Sequence, residues 1–323
     1  MTLLAVVLVL LLWAGHRRAR LIERSCPPVG TVRRLDGHDV HVVEAGSGPP
    51  LILLHGASSN LRDWTESILP ILAREFRVIA IDRPGLGHSA GTGAWLNPSD
   101  LADFVLNVAE ELGAEAPVIV GHSWSGSVVL AALTDQPDRV AGGISLAGVG
   151  SHWVGGIGWA THVARVPILG QLFCHTVVPL LGPSLMPAAI AKIFRSNAVP
   201  DGYAERIGAA LAVRPRAFWS NARDLVRLNA YLQAQSTRYP TIRRPLLGMH
   251  GESDAIVPFW NHGQRLAALL PDAEVQMLPG LGHAPHHVEP DAIAGRIADF
   301  ARRCFDNAAA PGQLGGGNRS VFP

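Results

Sequence analysis

Residues 117–133 put a short apolar run, a serine between small residues and a second apolar run in direct succession. These are Pro117–Val120, then Gly121-His122-Ser123-Trp124-Ser125-Gly126, then Ser127–Leu133. The first run has the length of a buried strand, and the second reads as the start of an apolar helix. A chain passing so abruptly from strand to helix must turn sharply, and the residues around the turn must be small because backbones meet there. The turn pushes the serine hydroxyl out of the sheet, and the following helix aims its positive end at the place where an oxyanion would form. Ser123 is therefore a candidate nucleophile. The rival reading, a polar residue in a turn, has to be decided by the rest of the chain.

Strand patterns recur on both sides of this turn. Thr31–Leu35 and Val40–Ala45 read as strands joined at Asp36-Gly37, a hairpin signal. Leu51–Leu54 and Arg77–Ile81 read as strands buried on both faces. Ala141–Leu146, Pro245–His250 and Ala273–Leu278 follow the turn. Helical patterns lie between them at Trp64–Glu75, at Ser99–Leu112 with a cap at Ser99-Asp100, at Trp260–Leu270 and at Pro290–Cys304. This alternation predicts an α/β fold with a mostly parallel sheet and right-handed crossovers. Function in such sheets gathers at the carboxyl ends of strands, where His55, Asp82 and Ser123 all fall.

The rhythm breaks at residues 148–239, where proline-broken helical segments replace strands: His162–Leu181, Leu185–Ser196, Ala204–Leu211 and Ala217–Gln235. These predict an inserted helical lid between the core segments 31–147 and 240–304. Trp153, Trp159, Leu169, Phe173, Leu180, Leu181, Met186, Ile193 and Phe194 are mainly expected to form the lid's own core, with some walling an apolar pocket. Residues 305–323, rich in Ala, Gly and Pro, are expected to be a disordered tail.

Residues 1–20 have a separate character. Leu3–Trp13 is unbroken hydrocarbon, followed by His16-Arg17-Arg18-Ala19-Arg20. This predicts an N-terminal membrane anchor helix, with the basic flank keeping the catalytic body cytoplasmic. A cleaved signal followed by export is the alternative, since the run is short for a spanning helix. The formal net charge of +1 gives no reason to expect a nucleic-acid partner. The three cysteines are scattered and match neither a metal spacing nor a disulfide framework.

A hydroxyl nucleophile needs a base, and the base needs an anion. Asp254 follows one predicted strand and His283 the next, on the same sheet edge as Ser123. Glu252 is the rival acid; His286 and His287 are rival bases. The order Ser, Asp, His, the His55-Gly56 pair, Asp82-Arg83-Pro84-Gly85-Leu86-Gly87-His88-Ser89 and the Ser123 turn together resemble the α/β-hydrolase superfamily, over about Thr31 to Cys304. The resemblance is to its lid-containing branch of esterases, C–C bond hydrolases, cofactor-free haloperoxidases and epoxide hydrolases. It implies an eight-stranded sheet with an antiparallel second strand and a lid entering after the sixth. Ser123, Asp254 and His283 are then the triad, with the backbone N–H groups of Ala57 and Trp124 as the oxyanion hole. It also implies no metal or organic cofactor.

The usual Gly-x-Ser-x-Gly turn has Ser125 in place of its last glycine, which predicts a slightly tighter turn. Asp82 and Arg83 are expected to form a structural ion pair or loop brace, and His55 to shape the oxyanion loop. A serine nucleophile predicts acyl transfer on an apolar small-molecule ester. A perhydrolase or haloperoxidase, a C–C bond hydrolase, or a non-enzymatic ligand-binding protein on the same fold are the alternatives.

Overall fold

The computed structural model describes residues 3–309. Its centre is an eight-stranded mixed sheet in the order β1-β2-β4-β3-β5-β6-β7-β8. The strands are β1 (Thr31–Leu35), β2 (His38–Ala45), β3 (Pro50–Leu54), β4 (Arg77–Ile81), β5 (Val118–His122), β6 (Gly142–Leu146), β7 (Leu246–Gly251) and β8 (Glu274–Leu278). β2 runs antiparallel to both its neighbours, and all other pairs are parallel. The β1–β2 hairpin turns on Asp36 and Gly37, both with positive φ (45° and 71°), as a two-residue hairpin loop requires.

Alternation along the central strands builds two cores. Ile52 and Leu54 of β3 and Ile119 of β5 face helices Pro98–Glu111 and Gly126–Asp135. Leu51, Leu53, Val118 and Val120 face the opposite layer, which includes Trp64 and helix Pro290–Ala309. Period-two side chains on a sheet covered on both sides give this result.

Several boundaries differ from expectation. Helix Pro98–Glu111 is capped by Asn97 rather than Ser99-Asp100: the Asn97 side chain accepts from both the Ser99 and Asp100 amides, and Asp100 reaches back to the Asn97 amide. Trp64–Glu75 is two short helices, Arg62–Thr65 and Leu69–Leu72. The last helix runs to Ala309, because Asn307-Ala308-Ala309 can continue it; the rest of the expected tail lies outside the described residues.

Between β6 and β7 lie helices Trp159–Val163, Leu169–His175, Val177–Ile193, Tyr203–Arg206 and Pro215–Gln235. The expected break near Leu181 is absent: Val177–Ile193 runs through Pro183 and Pro187, forgoing their two amide hydrogen bonds. Phe194 is buried as expected, but Trp159, Leu169 and Leu181 are exposed.

The N-terminal segment is one helix, Leu3–Ser25, that continues through the basic cluster. Its second half packs on the lid. A Cβ at Gly15 would run into the His175 carbonyl, Ile22 is buried, and Arg214 Nη1 donates to Glu23 Oε1 at 2.8 Å. The expectation of a transmembrane helix is not supported. Among the described residues, no single helix is long and apolar enough to cross a bilayer, because the arginines arrive after Trp13. Leu169–His175 and Val177–Ile193 reach that composition only as a pair bent by 59°.

Candidate active site

Ser123 follows β5 directly and adopts φ 54°, a strained conformation for a residue with a side chain. Small neighbours make the turn possible. A Cβ at Gly126 would lie 2.5 Å from Gly148 Cα, and one at Gly121 would strike the Ser125 carbonyl. Ser125 does more than fit: its Oγ donates to the His55 carbonyl at 2.6 Å, tying the turn to the end of β3.

Ser123 Oγ lies 3.0 Å from His283 Nε2, and His283 Nδ1 lies 2.8 Å from Asp254 Oδ2. The other Asp254 oxygen accepts from the amides of Ile256 and Val257, each at 2.8 Å. Burial alone would raise the Asp254 pKa. The adjacent imidazole and the two amides outweigh it and hold the carboxyl below the usual range. An ionised Asp254 fixes the proton on Nδ1, leaving Nε2 free to accept from the serine. The site is nearly closed, with Ser123 8% exposed.

The rival residues face elsewhere. His287 Nε2 donates to Asp63 Oδ1 at 2.8 Å, and His286 Nε2 lies 3.4 Å from the same oxygen. Glu252 accepts from the Gly280 amide at 2.9 Å on the surface.

The Gly56–Ala57 backbone flanks Ser123: a Cβ on Gly56 would sit 2.8 Å from Ser123 Cβ. His55 Nε2 accepts from the Arg83 amide at 3.0 Å, so Nδ1 carries the proton and donates to the Gly56 carbonyl at 2.9 Å. Burial pushes the His55 pKa down to about 4 and keeps the ring neutral.

Asp82 and Arg83 do not form the expected ion pair with each other; each binds a different partner. Asp82 pairs with His41 Nδ1 at 2.6 Å and accepts from the Leu61 and His88 amides. Arg83 reaches the lid, donating to Asp224 Oδ2 at 2.6 Å. It also donates to the Gly56 carbonyl at 3.3 Å and lies 3.7 Å over the Trp124 ring. Nearby, the Asn221 side chain accepts from the Ser58 amide at 2.7 Å and donates to Ser58 Oγ at 2.9 Å. Ser58 has φ 54°. Asn221 and Asp224, one helical turn apart on Pro215–Gln235, thus hold the loop containing Ala57 and the base of Trp124. Sequence reasoning passed over both; their only sequence signal was polarity on the inner face of a lid helix.

Residues 51–296 match the family model described as alpha/beta hydrolase family. The chain belongs to that family. Over 106 residues it is 37% identical to a soluble epoxide hydrolase of Corynebacterium sp. (strain C12), a match covering 33% of this chain and 37% of that protein. It is 26% identical to a non-heme haloperoxidase of Rhodococcus erythropolis, over 82% of this chain and 96% of the relative. Among solved structures, a membrane phospholipase A superposes with TM-score 0.69 at 20% identity. That superposition covers 94% of this chain and 98% of the other.

Proposed function

We propose that this α/β hydrolase is a serine hydrolase cleaving an ester or related acyl bond of an apolar small molecule. The observation that carries the reading is the Ser123–His283–Asp254 relay, with both links at hydrogen-bond distance. As Ser123 Oγ attacks the carbonyl carbon, Nε2 of His283 takes its proton and Asp254 stabilises the imidazolium. The N–H groups of Ala57 and Trp124 receive the oxyanion. His283 then protonates the leaving alcohol, and water, deprotonated by the same imidazole, releases the acyl group. No step calls on a metal or organic cofactor. Apolar side chains throughout the lid support an apolar substrate.

Ser123→Ala should abolish p-nitrophenyl ester turnover and fluorophosphonate labelling while leaving Tm nearly unchanged. Retained turnover would refute the assignment. The similarity to a haloperoxidase favours one second reading, perhydrolysis at the same serine; acetate-dependent bromination that disappears in Ser123→Ala would establish it.

We further propose that the enzyme is attached to a membrane. Leu3, Leu4, Leu10 and Trp13 are 81%, 78%, 57% and 60% exposed, on a helix apolar on every side before His16. The eleven residues Leu3–Trp13 span roughly 16 Å, about half of the ~30 Å hydrocarbon core. They suit insertion into one leaflet, with Arg17, Arg18 and Arg20 at the headgroups. The resemblance in fold to a protein named a membrane phospholipase A supports this. Attraction of the basic flank to the anionic lipids of the cytoplasmic leaflet favours a catalytic body on that side, which fluorophosphonate labelling of intact against lysed cells tests.

A further inference from the structure

Asp63, His122 and His286 form a second buried cluster beside the triad, with His122 and His283 rings 5.0 Å apart. Each comes from a different element: helix Arg62–Thr65, the end of β5, and helix Pro285–Val288. All three are at most 6% exposed. One ligand atom from each can be chosen so that all lie within 4.8 Å of one another.

The distances do not suit direct hydrogen bonds. His122 Nδ1 is 3.4 Å from Asp63 Oδ2, and His286 Nε2 is 3.4 Å from Oδ1. Charge-assisted N–H···O bonds are about 2.7–2.9 Å. A tetrahedral ion with bonds of about 2.1 Å separates its ligand atoms by roughly 3.4 Å. Asp63 Oδ2, His122 Nδ1 and both ring nitrogens of His286 have no hydrogen-bond partner, although all are buried. Buried polar atoms without partners are rare and call for an explanation.

The surroundings hold His122 and Asp63 as a metal's outer shell does. His122 Nε2 donates to the His283 carbonyl at 2.9 Å, directing Nδ1 toward Asp63. His287 Nε2 donates to Asp63 Oδ1 at 2.8 Å. Ligating histidines typically donate their second N–H to a carbonyl or carboxylate, and ligating carboxylates are hydrogen-bonded in turn.

We propose that Asp63, His122 and His286 bind one divalent transition-metal ion of the Zn2+ type. Imidazole and carboxylate donors suit such an ion. The second carboxylate oxygen or a water would complete four-coordination. The ion would act structurally, cross-linking the residue before the nucleophile to the loop that carries the base. The competing occupant of the same gap is a proton on His122 Nδ1.

The test uses the whole 323-residue chain, stripped with a chelator and titrated with Zn2+ or Co2+ alone. The expected result is saturable binding of one ion per chain, a tetrahedral Co2+ visible spectrum and a rise in Tm. Asp63→Asn should abolish binding. His287→Gln keeps all three ligands and should weaken binding about 10–100-fold, so it serves as the readout if the ligand variants do not fold. Absence of saturable binding by the native chain would overturn the proposal, as would affinity unchanged in Asp63→Asn or in His287→Gln.

Discussion

Ser123 depends on residues that do no chemistry. Gly126 lies so close to Gly148 that one added methyl group meets Cα at 2.5 Å, and backbone cannot yield as a side chain does. Gly126→Ala is expected to unfold the protein or leave it insoluble; normal expression with wild-type Tm would contradict this. Ser125→Ala removes the donor to the buried His55 carbonyl and should cost ~1–3 kcal/mol of stability, the range for a buried group left unpaired. Denaturant unfolding measures it. Asp254→Asn keeps the shape but can leave the Nδ1 proton without its acceptor, so the base is held in the wrong tautomer. On the proposed mechanism kcat should fall by about 10⁴ with KM little changed, and a fall below tenfold would exclude Asp254 from that role.

At the scale of elements, helix Pro215–Gln235 is both part of the insertion between β6 and β7 and a scaffold. Asn221 holds Ser58 and Asp224 holds Arg83, whose guanidinium also binds Gly56 and covers Trp124. The amide donors assigned to the oxyanion hole are therefore braced from the lid. Asn221→Ala and Asp224→Asn should each lower kcat by roughly 10–100-fold through loss of positioning, with KM nearly unaffected. A rise in KM alone would show that the helix only shapes the substrate pocket. The helix Leu3–Ser25 divides differently, an apolar exposed half and a half docked on the lid. Deleting residues 1–13 should end flotation with anionic liposomes while retaining soluble-ester turnover. Undiminished flotation would leave the attachment with other surfaces.

For the whole molecule, buried histidines dominate the response to acid. Burial pushes His55 and His250 to about 4 and His262 and His286 to about 3. Their ordinary value is near 6.5, so between pH 6.5 and 4 the unfolded chain binds protons that the folded chain does not. Stability present above pH 6.5 is lost through that window, at about 1.4 kcal/mol per pH unit for each histidine. Asp224, raised to about 6 by burial against the pull of Arg83 and Arg223, opposes one of the four between pH 6 and 4. Below pH 4, Asp63, Asp82 and Asp254, all held below the usual carboxylate range, remove more. Tm should therefore drop steeply from pH 7 to pH 4.5; a flat profile would mean that these rings take up protons without unfolding the chain.

The amino-acid sequence by itself determined the strand–turn–helix at Ser123, the other seven strands to within two residues at each end, and the chain order of Ser123, Asp254 and His283. Those features are written in neighbouring residues: alternation, turn glycines, and short apolar runs whose local preferences agree with the fold. It did not specify that Asn97 caps its helix, that the lid helix runs through two prolines, or that Arg83 prefers Asp224 to its neighbour Asp82. Nor did it reveal the gathering of Asp63, His122 and His286 from three elements. Those outcomes turn on which polar groups are buried together after packing, and partners 141 or 163 residues apart, as in Arg83–Asp224 and Ser58–Asn221, leave no periodic trace along the chain. Tertiary structure decided them, because a buried charge or amide must find a partner wherever the folded chain supplies one.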